Sequence, residues 1–234
     1  MTNLLTNGRF IEGATHSYVE WNHPVPEIQI PYGWTLFNYN HRKTGDLAWV
    51  WHRPECKLAM VRGQKVWKAF TSFATHRYAL GQEVLVTPGA TYRLTVKVNT
   101  WSCTNDDETK YDGGSYRTKV GINPMGYTDW ASRDIVWSTQ YEVGTKHDGL
   151  GEEIRTITTK AVGDVIIVWL LGDAEWAVRH NDAYWIEAVL EEIAGPPAEG
   201  HIQDALNALE GRLHNVEDRL EYLERAFLIR GDRG

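Results

Sequence analysis

Thr91–Trp101 reads TYRLTVKVNTW, and its alternation decides the fold class. Tyr92, Leu94, Val96 and Val98 are apolar, while Arg93, Thr95, Lys97 and Asn99 between them are polar. A period of two sends successive side chains to opposite faces, so the stretch is a strand with one face on a core and one in water. Val165–Leu171, VIIVWLL, is apolar throughout and belongs in the middle of a sheet. Similar short runs rich in Val, Ile, Thr, Tyr and Trp predict strands at 34–39, 47–52, 57–61, 66–70 and 78–86, and again at 117–122, 135–140, 154–160 and 184–193. Turn signals separate them: Pro88-Gly89, Asp112-Gly113-Gly114 and Asp148-Gly149. About ten strands with no interleaved helical pattern read as an all-β sandwich or barrel.

The texture changes after residue 194. Gly195-Pro196-Pro197-Ala198-Glu199-Gly200 stops the last strand and forms a stiff linker, 195–200. From 201 to 230, Ile202, Leu206, Leu209, Leu213, Val216, Leu220, Leu223 and Phe227 follow one another at spacings 4-3-4-3-4-3-4. This is a heptad seam, with Leu206, Leu213, Leu220 and Phe227 at a and the other four at d. Arg212 and Arg219 fall at g, and Glu210, Glu217 and Glu224 at e. In a parallel assembly Arg212 faces Glu217 of a neighbour, and Arg219 faces Glu224. Arg212–Glu217 and Arg219–Glu224 both resemble the Arg-h-x-x-h-Glu pattern of parallel three-stranded coiled coils, where h is apolar. The expectation is a homotrimeric stalk about 45 Å long; the alternative is an amphipathic helix folded back on its own sandwich.

Composition excludes several functions. The 234 residues carry 24 Lys+Arg against 31 Asp+Glu, net −7, which offers no electrostatic footprint for nucleic acid or an anionic membrane. The longest apolar run is far short of the roughly 20 residues of a membrane helix. The opening MTNLLTNGRF has no basic region followed by an apolar stretch, so no signal peptide is expected. Cys56 and Cys103 are too few for a disulfide framework and read as buried thiols, with a single bridge as the alternative. The nine His show no metal-ligand spacing, and no phosphate loop, nucleophile elbow or Cys–His arrangement is present, so no enzyme activity is expected.

Four stretches, in order, carry a family resemblance. They are Asn3–Phe10 (NLLTNGRF), Gly81–Tyr92 (GQEVLVTPGATY), Gly121–Asp129 (GINPMGYTD) followed by Ile135–Ser138 (IVWS), and Asn181–Val189 (NDAYWIEAV). Together they resemble jelly-roll carbohydrate-binding modules of the family-4/9 type, with the galactose-binding-domain-like fold. The resemblance implies a jelly-roll β-sandwich over residues 1–194 and non-catalytic binding of polysaccharide. It also implies a structural Ca²⁺ between the first segment and the last strand. Ile11 and Ala188 stand where such modules carry acids, which leaves Glu12 and Glu187 as side-chain donors.

Eleven Trp and eleven Tyr against five Phe fit this reading. Sugar rings stack their C–H faces on flat aromatic rings, and their hydroxyls need amides, carboxylates or Arg. Trp49 and Trp51 project to one face of a predicted strand. Trp101, Tyr111, Tyr127, Trp130, Trp176 and Arg179 lie in or beside predicted loops, where binding residues concentrate. Each of these rings can equally be packing. Trp34, Trp137 and Trp169 are expected in the core.

Two functions follow. One is a trimeric glycan-binding protein whose weak sites gain avidity from the stalk. The other is a structural trimer that binds no sugar and stabilises a capsid. A phage virion-surface component (decoration, fibre or tail-associated), assembled in the bacterial cytoplasm and contacting capsid or tail proteins, fits the low Cys content and the missing Asn-x-Ser/Thr sequon. A cellular glycan-binding module is the remaining alternative.

Overall fold

The computed structural model describes residues 2–11, 16–20, 23–38, 54–107, 110, 112–139, 141–142 and 153–195, together with 209, 210, 212 and 213. The 47–52 strand expectation, Trp49, Trp51, Tyr111 and Glu12 lie outside these residues, as do the seam and flank positions other than Leu209, Glu210, Arg212 and Leu213.

Thirteen strands are described, arranged in two sheets. They are β1 (His16–Glu20), β2 (His23–Ile30), β3 (Thr35–Asn38), β4 (Glu55–Val61), β5 (Gln64–Thr71), β6 (His76–Leu85), β7 (Thr91–Cys103), β8 (Tyr116–Asn123), β9 (Val136–Trp137), β10 (Tyr141–Glu142), β11 (Glu153–Lys160), β12 (Val165–Ala174) and β13 (His180–Ala194). The seven-stranded sheet runs β1-β2-β4-β5-β13-β7-β11; the six-stranded sheet runs β10-β8-β12-β6-β3, with β9 on β8. All pairings are antiparallel except β2 with β4. The expected all-β sandwich, of a form consistent with a jelly roll, is what the chain adopts.

The two inner faces build the main core. Tyr92, Leu94, Val96 and Val98 of β7 are buried there, as their alternation requires. Ile166, Val168 and Leu170 of β12 meet them from the other sheet. β12 sits between β6 and β8, as its unbroken apolar run predicts. The buried aromatics with polar atoms are mostly satisfied: Trp67 Nε1 donates to Gln29 O at 2.9 Å, and Trp185 Nε1 to the Tyr78 hydroxyl at 2.6 Å. Both cysteines are free and buried, which settles their alternatives in favour of thiols. Burial pushes the Cys56 thiol well up.

Two expectations needed correction. β1 and β2 were not anticipated, because Pro24 and Pro26 argue against a strand interior. The strand expected at 135–140 shortens to Val136–Trp137. Trp169 is buried in a core cluster as expected, on the outer face of its sheet together with Ala79, Ile135 and Ile167.

The first segment bridges the sheets at one edge. Asn3 Nδ2 donates to Ala188 O at 2.9 Å, and Asn3 Oδ1 accepts from Leu190 N at 3.0 Å and Leu5 N at 3.1 Å. Ala188 N donates to Gly8 O at 2.7 Å, an approach so close that a Cβ on Gly8 would lie 2.3 Å from Ala188 O. From the opposite sheet, Gln82 on β6 accepts from Thr6 N at 2.7 Å and donates to Thr6 O at 2.9 Å. Phe10 is fully buried and packs on Trp34 with ring centroids 5.3 Å apart. Asn3, Gly8 and Phe10 of the NLLTNGRF motif therefore do structural work.

Candidate functional site: an aromatic floor on the six-stranded sheet

Cross-strand register sets out a row of residues across the outer face of the six-stranded sheet. Thr35 pairs Gly81, Gly81 pairs Trp169, Trp169 pairs Gly121 and Gly121 pairs Trp137. A glycine on each side lets an indole lie down over its neighbour. A Cβ at Gly81 would meet Trp169 Cζ3 at 2.6 Å, and one at Gly121 would meet Trp137 Cε3 at 2.6 Å. Trp169 is fully buried, with the edge of Phe37 against it at 5.2 Å and 65°. Trp137 and Trp130 pack on this cluster and remain partly exposed. Trp137, expected in the core, thus sits on the outside of the sheet.

The chain between β8 and β9 returns over this face. Asn123, fully buried, holds its turn by accepting from Met125 N at 2.9 Å and donating to Tyr127 O at 3.2 Å. Asp129 starts the next turn by accepting from Ala131 N at 2.9 Å, which sets Trp130 in place. Ser138 then pairs with Val120 in both directions, at 2.8 and 3.1 Å, locking β9 onto β8. The GINPMGYTD motif is therefore the loop that leads Trp130 to the aromatic floor.

Cations lie over the exposed rings. Lys119 Nζ stands 4.1 Å from the centroid of Trp137, and the Arg77 guanidinium 5.6 Å from that of Trp130. Arg77 also lies 3.9 Å from Asp173, and Arg117 pairs with Glu175. The Trp169 Nε1–H is buried and finds no hydrogen-bond acceptor among the described residues. Flat rings flanked by charged and amide groups suit a ligand with alternating C–H and hydroxyl surfaces.

The other expected residues gather elsewhere. Trp101 and Arg179 are linked through His180 and Asp106 at one end of β7 and β13, and Trp176 lies on the loop that leads into β13. Trp101 is buried there: its Nε1 donates to Lys110 O at 3.0 Å, and its ring stacks on His180 at 4.1 Å and 16°. Asp106 holds both Arg179 at 2.6 Å and His180 at 2.7 Å. Trp176 is 57 % exposed and stands near Phe73, at 64 % exposed the more open ring of the two. Their loops are laced together by Asn181, whose Nδ2 donates to Ala74 O at 3.0 Å and Trp176 O at 2.7 Å. Sequence reasoning missed Phe73, Lys119 and Arg77, and had set Trp137 aside. Only strand register, which a single chain does not display, could have found the last three.

The implied Ca²⁺ does not fit the residues described. Glu187 faces two cations, Lys97 at 3.5 Å and Arg9 at 3.9 Å. The neighbouring Ala188 carbonyl already accepts from Asn3. A calcium site needs six to eight oxygens, and among the described residues no group of three acids, His or Cys could hold a metal.

No family model matches the chain, and no curated protein does. Solved structures with a similar fold include TmCBM61 in complex with β-1,4-galactotriose, at 12 % identity over 82 % of this chain and 99 % of that one, with a TM-score of 0.46. The carbohydrate-binding module CBM4 is 12 % identical over 80 % of this chain and 99 % of that one, with a TM-score of 0.39. The enzymatically active domain of bacteriophage CBA120 tailspike protein 4 is 8 % identical over 82 % of this chain and 21 % of that one, with a TM-score of 0.47.

Proposed function

We propose that this protein binds glycans without catalysis, through the outer face of the six-stranded sheet. The observation that carries the reading is the glycine–indole row: Trp137 lies flat over Gly121 beside Trp169 over Gly81, with Trp130 alongside. Two glycines, one in each strand flanking β12, leave room for rings to lie parallel to the sheet, the orientation that stacks on a pyranose. The floor is rigid because β6, β12 and β8 pair continuously beneath it. An array of neutral and acidic polysaccharides probed with the full chain tests the reading. Saturable binding to a subset of glycans supports it, and no binding to any glycan overturns it.

The organisation that goes with this function is a knob on a stalk: sandwich 1–194, linker 195–200 and a trimerising helix over 201–230. Leu209 and Leu213 are helical and about 60 % exposed in the single chain, as seam positions are when their partners are absent. Exposure of these two leucines supports the stalk, while Arg212 between them lies 3.8 Å from Asp164 of the sandwich. Three copies of a weak sugar site then act together. Display on a phage virion is the context we favour, since two free buried thiols and no disulfide suit assembly in a reducing cytoplasm.

A further inference from the structure

Resting on that sugar-binding reading, we infer that the ligand is an anionic glycan whose acidic group sits between Lys119 and Arg77, above the Trp137–Trp130 floor. Lys119 projects from β8 and Arg77 from β6, the two strands flanking β12, so the cations bracket the aromatic row. Asp173 of β12 lies in register with both Arg77 and Arg117, and Arg117 already pairs with Glu175. Asp173 and Glu175 are therefore committed to the arginines. Lys119 is half-buried, and among the described residues no carboxylate reaches ion-pair distance of it.

A partly desolvated ammonium with no counter-ion is costly. Burial, with Arg77 next in effect, pushes its pKa below the usual lysine value; Asp173 opposes this. Stacking on Trp137 offsets only part of the cost. A neutral sugar would bury this charge further, whereas a ring-borne carboxylate or sulfate completes the pair while the ring stacks on the indole. The shared chemistry is a negatively charged substituent on a pyranose.

The test uses the full chain and three immobilised probes: polygalacturonate for a carboxylate, dextran sulfate for a sulfate, and β-1,4-galactan for a neutral ring. Wild type is expected to bind at least one anionic probe about tenfold or more tightly than the neutral one, with affinity falling as salt rises. Lys119→Met should abolish that preference, so that anionic and neutral probes bind with equal affinity, while Trp137→Ala should weaken binding of both. Near-ultraviolet circular dichroism of each variant checks the fold. Equal affinity of wild type for neutral and anionic probes, or a preference surviving in Lys119→Met, would overturn the anionic assignment and spare the sugar-binding reading. Failure of wild type to bind any of the three probes counts against both.

Discussion

Trp169 lies across Gly81 so closely that a methyl group on the glycine would stand 2.6 Å from the indole. One cross-strand pair therefore sets the height of the aromatic floor. Gly81→Ala is expected to tilt the indole and to destabilise the fold by about 1–3 kcal/mol through overpacking. Urea denaturation measures the loss, and glycan binding should weaken in parallel. An alanine variant of unchanged stability would mean that the ring has somewhere else to go.

Trp169 and Trp137 differ in what they support. Trp169 is fully buried, so Trp169→Ala should cost about 3–5 kcal/mol, seen as a large fall in melting temperature. Trp137 is partly exposed, and its truncation should lower stability far less while removing the stacking surface.

Asn3 ties the first segment to β13 through Ala188 O and Leu190 N. Asn3→Ala strands both groups and should destabilise the sandwich by about 1–3 kcal/mol. Because this clasp and the Arg9 and Lys97 cations occupy the place where a calcium was expected, EDTA should leave the melting temperature unchanged. A drop of several degrees on chelation would show that a metal is present after all.

His76 is buried and neutral. Its Nδ1 is 2.9 Å from the Thr71 hydroxyl oxygen, which itself donates to Ala74 O at 2.8 Å, so Nδ1 carries the proton. Nε2 then accepts from the Tyr116 hydroxyl at 2.7 Å. Burial lowers the pKa of His76 from 6.5 to about 3. Between these values the unfolded chain holds the extra proton, so stability falls as pH drops through the window, approaching about 1.4 kcal/mol per pH unit mid-window. Denaturation midpoints from pH 7 to pH 4 should show this slope, and His76→Gln should flatten it.

The proposed trimer rests on the 201–230 seam. Sedimentation equilibrium should give three times the 26.7 kDa chain mass, and Leu213→Asp with Leu220→Asp should give a single chain. An unmodified chain that sediments as a monomer would refute the stalk.

Much of the sandwich was legible because alternation is a local property. TYRLTVKVNTW fixes which side chains of β7 share a face, and VIIVWLL announces a strand covered on both sides. The second covering was not legible. Ile167 and Trp169 are apolar because the Gly121–Ser138 segment returns over the outer face, and that return depends on Asn123 and Ser138 contacts made only in the fold. Periodicity likewise cannot say that Gly81 and Gly121 flank Trp169, so Trp137 looked like core. Trp101 failed in the opposite sense: expected as a binding ring beside a loop, it is closed over by Lys110 and His180. β2 stayed hidden behind its two prolines.

The central claim is that sugar stacks on the six-stranded sheet and not on the exposed rings at the end of β13. Titration of one glycan, selected from the polysaccharide array, into wild type, Trp137→Ala and Trp176→Ala tests it most directly. Loss of about tenfold or more in affinity for Trp137→Ala, with Trp176→Ala indistinguishable from wild type, is the predicted result. Retained binding in Trp137→Ala together with loss in Trp176→Ala would contradict it and move the site to the loops that Asn181 laces together.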